Sequence, residues 1–183
     1  VRAEVAKKAG SVAATNLTLK SASWSAGTVG RPLSINKRNF STKNVGFSVS
    51  DIAEKPMISI QSQAIFKTKT NRNVANIIFF SVRSGAKPTN LRVIKNPTTL
   101  TGATFTEIDT NSSIYVDTSA TAFSGGTDLF GFSVALNASS TLPLFDPKIL
   151  VLELLKDDII TVTAFGPEGV AKTDIFIIYE EII

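Results

Sequence analysis

Phe130, Phe132, Val134 and Leu136 alternate with Leu129, Gly131, Ser133 and Ala135, and this two-residue period most limits the folds open to the chain. Successive side chains of a strand point to opposite faces, so an apolar period of two belongs to a strand with one face on a core. The same signal returns at Ile58, Ile60, Ala64 and Phe66, with Ser59, Gln61 and Gln63 on the other parity. That alternation predicts one half-buried strand. Residues 74–82 are β-branched and aromatic and read as a central strand. Phe66, Phe79 and Phe80 are assigned to the core. Shorter strands are expected at 91–94, 105–108, 113–116, from Ile160 to Ala164, and over 173–179. Residues 150–155 fit either helix or strand.

Turn chemistry separates these runs. Residues 84–90 and Asn96-Pro97 read as loops. Ser124-Gly125-Gly126-Thr127 is a turn in which a Gly supplies positive φ. Lys156-Asp157-Asp158 reads as a hairpin turn, and Gly166-Pro167-Glu168-Gly169 as another turn. No stretch offers a long helical stripe with caps. Roughly eight short strands between Gly, Pro, Asn and Asp turns predict an all-β fold, an antiparallel, jelly-roll-like β-sandwich.

Residues 1–55 differ from the rest. They hold Ser, Gly, Asn and Lys between brief apolar points, among them Trp24, Phe40, Val45, Phe47 and Val49. Val45, Phe47 and Val49 fit one strand. A segment so poor in apolar residues buries little surface against the cost of ordering its backbone. We therefore expect an extended N-terminal docking arm over 1–55 and the β-sandwich over 56–183.

Charge divides along the chain. Residues 1–100 carry 16 Lys and Arg against 3 Asp and Glu, a net of +13; residues 101–183 carry 3 against 12, a net of −9. Between residues 56 and 100 there are Lys67, Lys69, Arg72, Arg83, Lys87, Arg92 and Lys95 and no carboxylate. Three readings follow: local neutralisation within one fold, pairing with the acidic half of a neighbouring subunit, or contact with nucleic acid phosphates. The stretch lacks the interleaved surface aromatics of a single-strand binder, which argues against nucleic acid. For subunit pairing, the candidate interface residues are Arg72, Arg83, Lys87 and Arg92 on the basic side. Asp157, Asp158, Glu180 and Glu181 are their acidic counterparts.

Cys and His are both absent. This removes disulfides, Cys or His metal ligands, thiol nucleophiles and the Ser-His-Asp triad. Paired carboxylates are the remaining catalytic option, but nothing in the sequence brings two together. Turn chemistry accounts for Asp157 and Asp158. Asp109, Asn111 and Asp117 could ligate calcium, yet their spacing does not match the helix–loop–helix calcium loop; loop Asp and Asn ordinarily bond their own backbone. Trp24, Tyr115 and Tyr179 are the aromatic candidates for glycan contact, against core or interface packing. The expectation is a non-enzymatic chain with no cofactor and no metal. No apolar run approaches the roughly 18 residues of a membrane span, and residues 2–10 lack the apolar core of a secretory leader.

Ser113-Ile-Tyr-Val-Asp117-Thr-Ser-Ala-Thr121, then Gly125-Gly126-Thr127, is similar to a stretch in structural proteins of tailed bacteriophages. So are the apolar residues 149–155, Asp157-Asp158, Thr161-Val-Thr-Ala164 and the closing Ile178-Tyr-Glu-Glu181. The resemblance covers about residues 73–183 and departs at Lys156, where a Gly often stands in that family. Tumour-necrosis-factor-like and complement-C1q-like trimers share the closing pattern. The resemblance implies a virion component (capsid decoration, head fibre, neck or tail). It favours a homo-oligomer, a trimer first, docked on other virion proteins through the N-terminal arm. The alternative it leaves is a carbohydrate- or receptor-binding module on a tail or fibre.

Overall fold

The computed structural model describes residues 37–49, 53–143 and 152–182. The described residues are all β, with no helix among them. In chain order the strands are β1 (Lys37–Val49), β2 (Lys55–Ser62), β3 (Ile65–Phe66), β4 (Lys69–Thr70), β5 (Val74–Ser84), β6 (Thr89–Lys95) and β7 (Thr99–Thr101). There follow β8 (Thr106–Glu107), β9 (Ile114–Asp117), β10 (Ala122–Ser124), β11 (Thr127–Val134), β12 (Ser139–Pro143), β13 (Leu152–Leu154), β14 (Ile159–Phe165) and β15 (Ala171–Ile182).

Two antiparallel sheets make a sandwich. One runs β1-β15-β5-β12, with β13 also on β5; the other runs β11-β6-β14-β2-β9-β8. The pairing is that of a long hairpin rolled up. β1 pairs β15, β2 pairs β14, β5 pairs β12 and β13, and β6 pairs β11. First-with-last pairing, with successive strands alternating between sheets, is the jelly roll. The core fills the space between the sheets. Ile77, Phe80, Val82, Ile175, Ile177 and Tyr179 come from the first, and Ile58, Ile60, Leu91, Val93, Ile160 and Val162 from the second. Phe80 meets Phe130 across the gap, with ring centroids 6.4 Å apart.

The two-residue period of β11 and the central place of β5 match the sequence reading. Several expectations are corrected. The strand read through Phe66 ends at Ser62, and Ala64 and Ile65 are exposed. Phe66 belongs to a small hairpin outside the core. Leu136 lies beyond the end of β11 and is exposed. Residues 156–158 do turn, but β13 pairs with β5 while β14 pairs with β2 and β6, so the turn is a corner between sheets and not a hairpin. Residues 152–154 are strand; residues 150 and 151 lie outside the described ones.

The chain between β6 and β11 lies over the outer face of the second sheet. There Phe123 of β10 meets Arg92, and β9 extends the sheet beyond β2. Ser59 and Thr161 share a buried hydroxyl pair at 3.0 Å. This cover explains why β2 is buried on both faces rather than half-buried. The chain re-enters β11 through Gly126, at φ +90°, where a Cβ would lie 2.7 Å from Ile94 Cγ2. Both backbone and space therefore demand glycine there.

Of the expected arm over 1–55, residues 1–36 and 50–52 lie outside the described ones, Trp24 among them. Residues 37–49 form β1, the edge of the first sheet.

Candidate functional site

The corner at 155–158 and the β3–β4 hairpin share one end of the sandwich. Asp157 N donates to Ser62 O at 3.0 Å, and Ser62 N to Asp158 O at 2.9 Å. Arg72, Asp157, Asp158, Glu180 and Glu181 all belong to that end, while Arg83 and Lys87 sit at the other. Arg92 lies mid-strand on the outer face of the second sheet.

Several of the candidate interface residues have partners inside the subunit. Glu54 takes Arg92 in a fork, Nε to Oε1 at 2.9 Å and Nη2 to Oε2 at 2.6 Å, and Asp128 Oδ2 takes Nη1 at 3.0 Å. Thr163 Oγ1 also donates to Glu54 Oε1. The hydrogen bond with Glu54 is the main reason the guanidinium is held above its ordinary pKa. Lys95 pairs with Asp158 at 2.8 Å, and Asn96 Nδ2 donates to the same carboxylate at 2.8 Å. Burial works against that charge, but the hydrogen bonds from Lys95, Asn96 and Leu155 N outweigh it and hold Asp158 below the usual carboxylate range. Lys37 pairs with Glu180 at 2.8 Å, and Lys87 Nζ donates to the Glu168 carbonyl. Asp157 is exposed beside Lys156, at φ 68°.

Glu181 is fully buried. It accepts hydrogen bonds from Ser112 Oγ, from Ser113 N at 3.1 Å and from Ser113 Oγ at 3.3 Å. Ser112 Oγ also meets Tyr179 Oη at 2.9 Å. The acidic group ascribed to an interface is here a tie between β15 and the start of β9. Tyr179 is interior too, its ring stacked on Phe40 at 5.6 Å, and burial pushes its phenol above the ordinary range. Tyr115 is half-buried on β9. Asp117 accepts from Thr104 N, Ser119 N and Ala120 N, and Asp109 from Asn111 N, so both carboxylates organise their own loops.

Lys67, Lys69 and Arg72 are the contrasting set. Among the described residues none of the three has a carboxylate within ion-pair distance. They line an open groove of about 640 Å³ with Phe66, Thr70, Asn71 and Asn73. The hairpin turns in two residues, Lys67 at φ 47° and Thr68 at φ 68°. A two-residue turn with both φ positive ordinarily carries Asn-Gly, and a β-branched residue there costs on the order of 1 kcal/mol. Lys67 Nζ sits 5.1 Å from the Phe66 ring centroid and 3.3 Å from Asn111 Oδ1. Buried Asn71 anchors the base. Its Nδ2 donates to Gln63 O at 2.9 Å and to Ser62 Oγ at 3.2 Å, and its Oδ1 accepts from Asn73 N at 2.9 Å. Asn73 Nδ2 and Asn76 Oδ1 are buried side-chain atoms without a partner among the described residues.

The outer face of the first sheet carries a second feature. β15 sends Ile175, Ile177 and Tyr179 inward, and Phe176 and Ile178 outward with 42% and 37% of their surface exposed. Both lie on an internal strand, between β1 and β5. The unbroken apolar run Ile175-Phe-Ile-Ile178 was the available signal, because a strand with one wet face alternates with polar residues.

No family model matches the chain, and no curated protein matches it. Among solved structures the chain is similar to VP17, a capsid protein of bacteriophage P23-77. The likeness has 11% identity and a TM-score of 0.22, over 81% of this chain and 98% of that one. A likeness of that size carries no argument about fold or function.

Proposed function

We propose that this chain is a non-enzymatic structural subunit of a virus particle of the tailed-bacteriophage kind. In this reading it self-associates into a homo-oligomer, a trimer first, and docks on other virion proteins through its N-terminal segment. The supporting observation is the outward Phe176 and Ile178 on an internal strand of the first sheet. More than a third of each residue's surface stays exposed on an internal strand, and a subunit contact would cover that remaining apolar surface. The resemblance over residues 73–183 supplies the viral context. A jelly roll by itself supplies no function, since the fold carries many.

The test is the solution mass of the full chain by light scattering over a range of concentrations, beside a Phe176→Ser/Ile178→Ser variant. An oligomer that falls to a monomer in the folded variant supports the reading. A wild-type chain that stays monomeric throughout sinks it. A chain beginning at residue 37 separates self-association from docking. One beginning at residue 56 would strip β1 from the edge of the first sheet and lay β15 bare.

A further inference from the structure

We propose that the groove of the β3–β4 hairpin is a binding site for an oxyanion of the phosphate or sulfate class carrying two or more negative charges. Three observations converge on it. First, Lys67, Lys69 and Arg72 gather in one groove without a carboxylate partner among the described residues, although Arg92 and Lys95 of the same basic stretch are paired. Cations that share one groove without a carboxylate repel one another, and an anion between them removes that cost. Second, the cations stand on a fixed base. Asn71 ties the hairpin to Ser62 and Gln63, and the two-residue turn sets the direction in which it leaves the sandwich. A pre-ordered base lowers the entropy lost on binding.

Third, Asn73 lines this groove, and its Nδ2 is a buried donor without a partner among the described residues. A buried unpaired donor is costly, and turning the Asn73 amide outward to meet an acceptor oxygen of a ligand would remove that cost. Among the described residues that line the groove every charged side chain is cationic, and the Arg fork suits two oxygens of one tetrahedral anion. The volume of about 640 Å³ leaves room for a second phosphate or for the group that bears the anion. The site stands independently of the assembly reading, since neither Phe176 nor Ile178 lines it.

The experiment is a titration of the ¹⁵N-labelled full chain with inorganic pyrophosphate at constant ionic strength, followed by amide shifts. Saturable shifts confined to residues 64–73 are expected. Arg72→Gln and Lys69→Gln should each weaken binding about tenfold, the worth of one charge-assisted hydrogen bond, and Asn73→Ala about threefold. Lys43→Gln, on β1, should leave affinity unchanged. Inorganic sulfate and a sulfated oligosaccharide are the comparison ligands. Tighter binding of the oligosaccharide at equal charge, still lost in Arg72→Gln, assigns the anion to a glycan; equal or weaker binding assigns it to a free phosphate-type anion. Shifts that never saturate, shifts spread equally over Arg83, Lys87 and Lys43, or an unchanged affinity in folded Arg72→Gln would overturn the proposal.

Discussion

Arg92 and Arg72 come from the same acid-free stretch of sequence, and the fold treats them in opposite ways. Arg92 lies mid-strand on a covered face, where Glu54 and Asp128 reach it from either side. Arg72 follows a hairpin that juts from the end of the sandwich, with no carboxylate near it among the described residues. A run of like charge along the chain is thus not a charged surface. Strand pairing brings carboxylates from remote positions to some of its members and leaves others to solvent or to a ligand. Of the three readings of the charge division, local neutralisation describes the β6 region, and at the hairpin the cations have no carboxylate partner among the described residues.

Removing a carboxylate should cost stability in proportion to how fully the fold has enclosed it. Glu181→Ala should have the largest effect, a loss of about 3 kcal/mol in urea denaturation at fixed protein concentration. It takes the carboxylate from Ser113 N and Ser113 Oγ, deprives Ser112 Oγ of one of its partners while leaving it Tyr179 Oη, and opens a cavity in a buried corner, each loss worth about 1 kcal/mol. A loss under about 1 kcal/mol would mean that water reaches this corner. Glu54→Ala should cost about 1.5 kcal/mol, discounted because Arg92 is 42% exposed. On the other side of the comparison, Arg72→Ala should stay within about 0.5 kcal/mol of wild type. Equal losses at Glu54 and Arg72 would erase the distinction between the two regions.

The strands were legible because their signal is local. Phe130 to Val134 alternates, and the Gly125-Gly126 turn announces itself by composition. The end of β2 was not, because Ala64 and Phe66 continue the parity of Ile58 and Ile60 past the point where the strand stops. The hairpin turn was hidden for a related reason: Lys67-Thr68 lacks the Asn or Gly such a turn ordinarily shows. Partners were illegible in principle. Glu54 with Arg92, Asp158 with Lys95 and Glu181 with Ser112 are joined by sheet register and by the jelly-roll wrap, which no local window contains. The corner at 156–158 shows the same limit, since its residues signal a turn without saying which sheet the next strand joins.

Asp158 offers a reading of the paired region by pH. Its folded pKa lies below the ordinary value of 3.8. The stability it contributes is therefore fully present above that value and is lost as the pH falls through the folded pKa. Wild type should exceed Asp158→Asn by about 1 kcal/mol at neutral pH. The gap should close as the pH falls below about 4. A gap that is flat down to pH 2 would assign the effect to packing and not to charge.

A small effect is expected at the hairpin turn, and it runs the other way. Lys67→Asn with Thr68→Gly gives the two-residue turn the residues its backbone already demands and removes a β-branched side chain from φ 68°. Gly loses more backbone entropy on folding, which offsets part of the gain. The net should be a stabilisation of about 0.5 kcal/mol, seen as a higher urea midpoint at an unchanged m-value. The same variant removes one of the three groove cations while leaving Lys69 and Arg72 in place. A chain that is more stable yet binds pyrophosphate more weakly would show that Lys67-Thr68 is kept at the expense of stability, as expected of a residue pair retained for contact. A chain both more stable and equally able to bind would leave Lys69, Arg72 and Asn73 as the whole of the site.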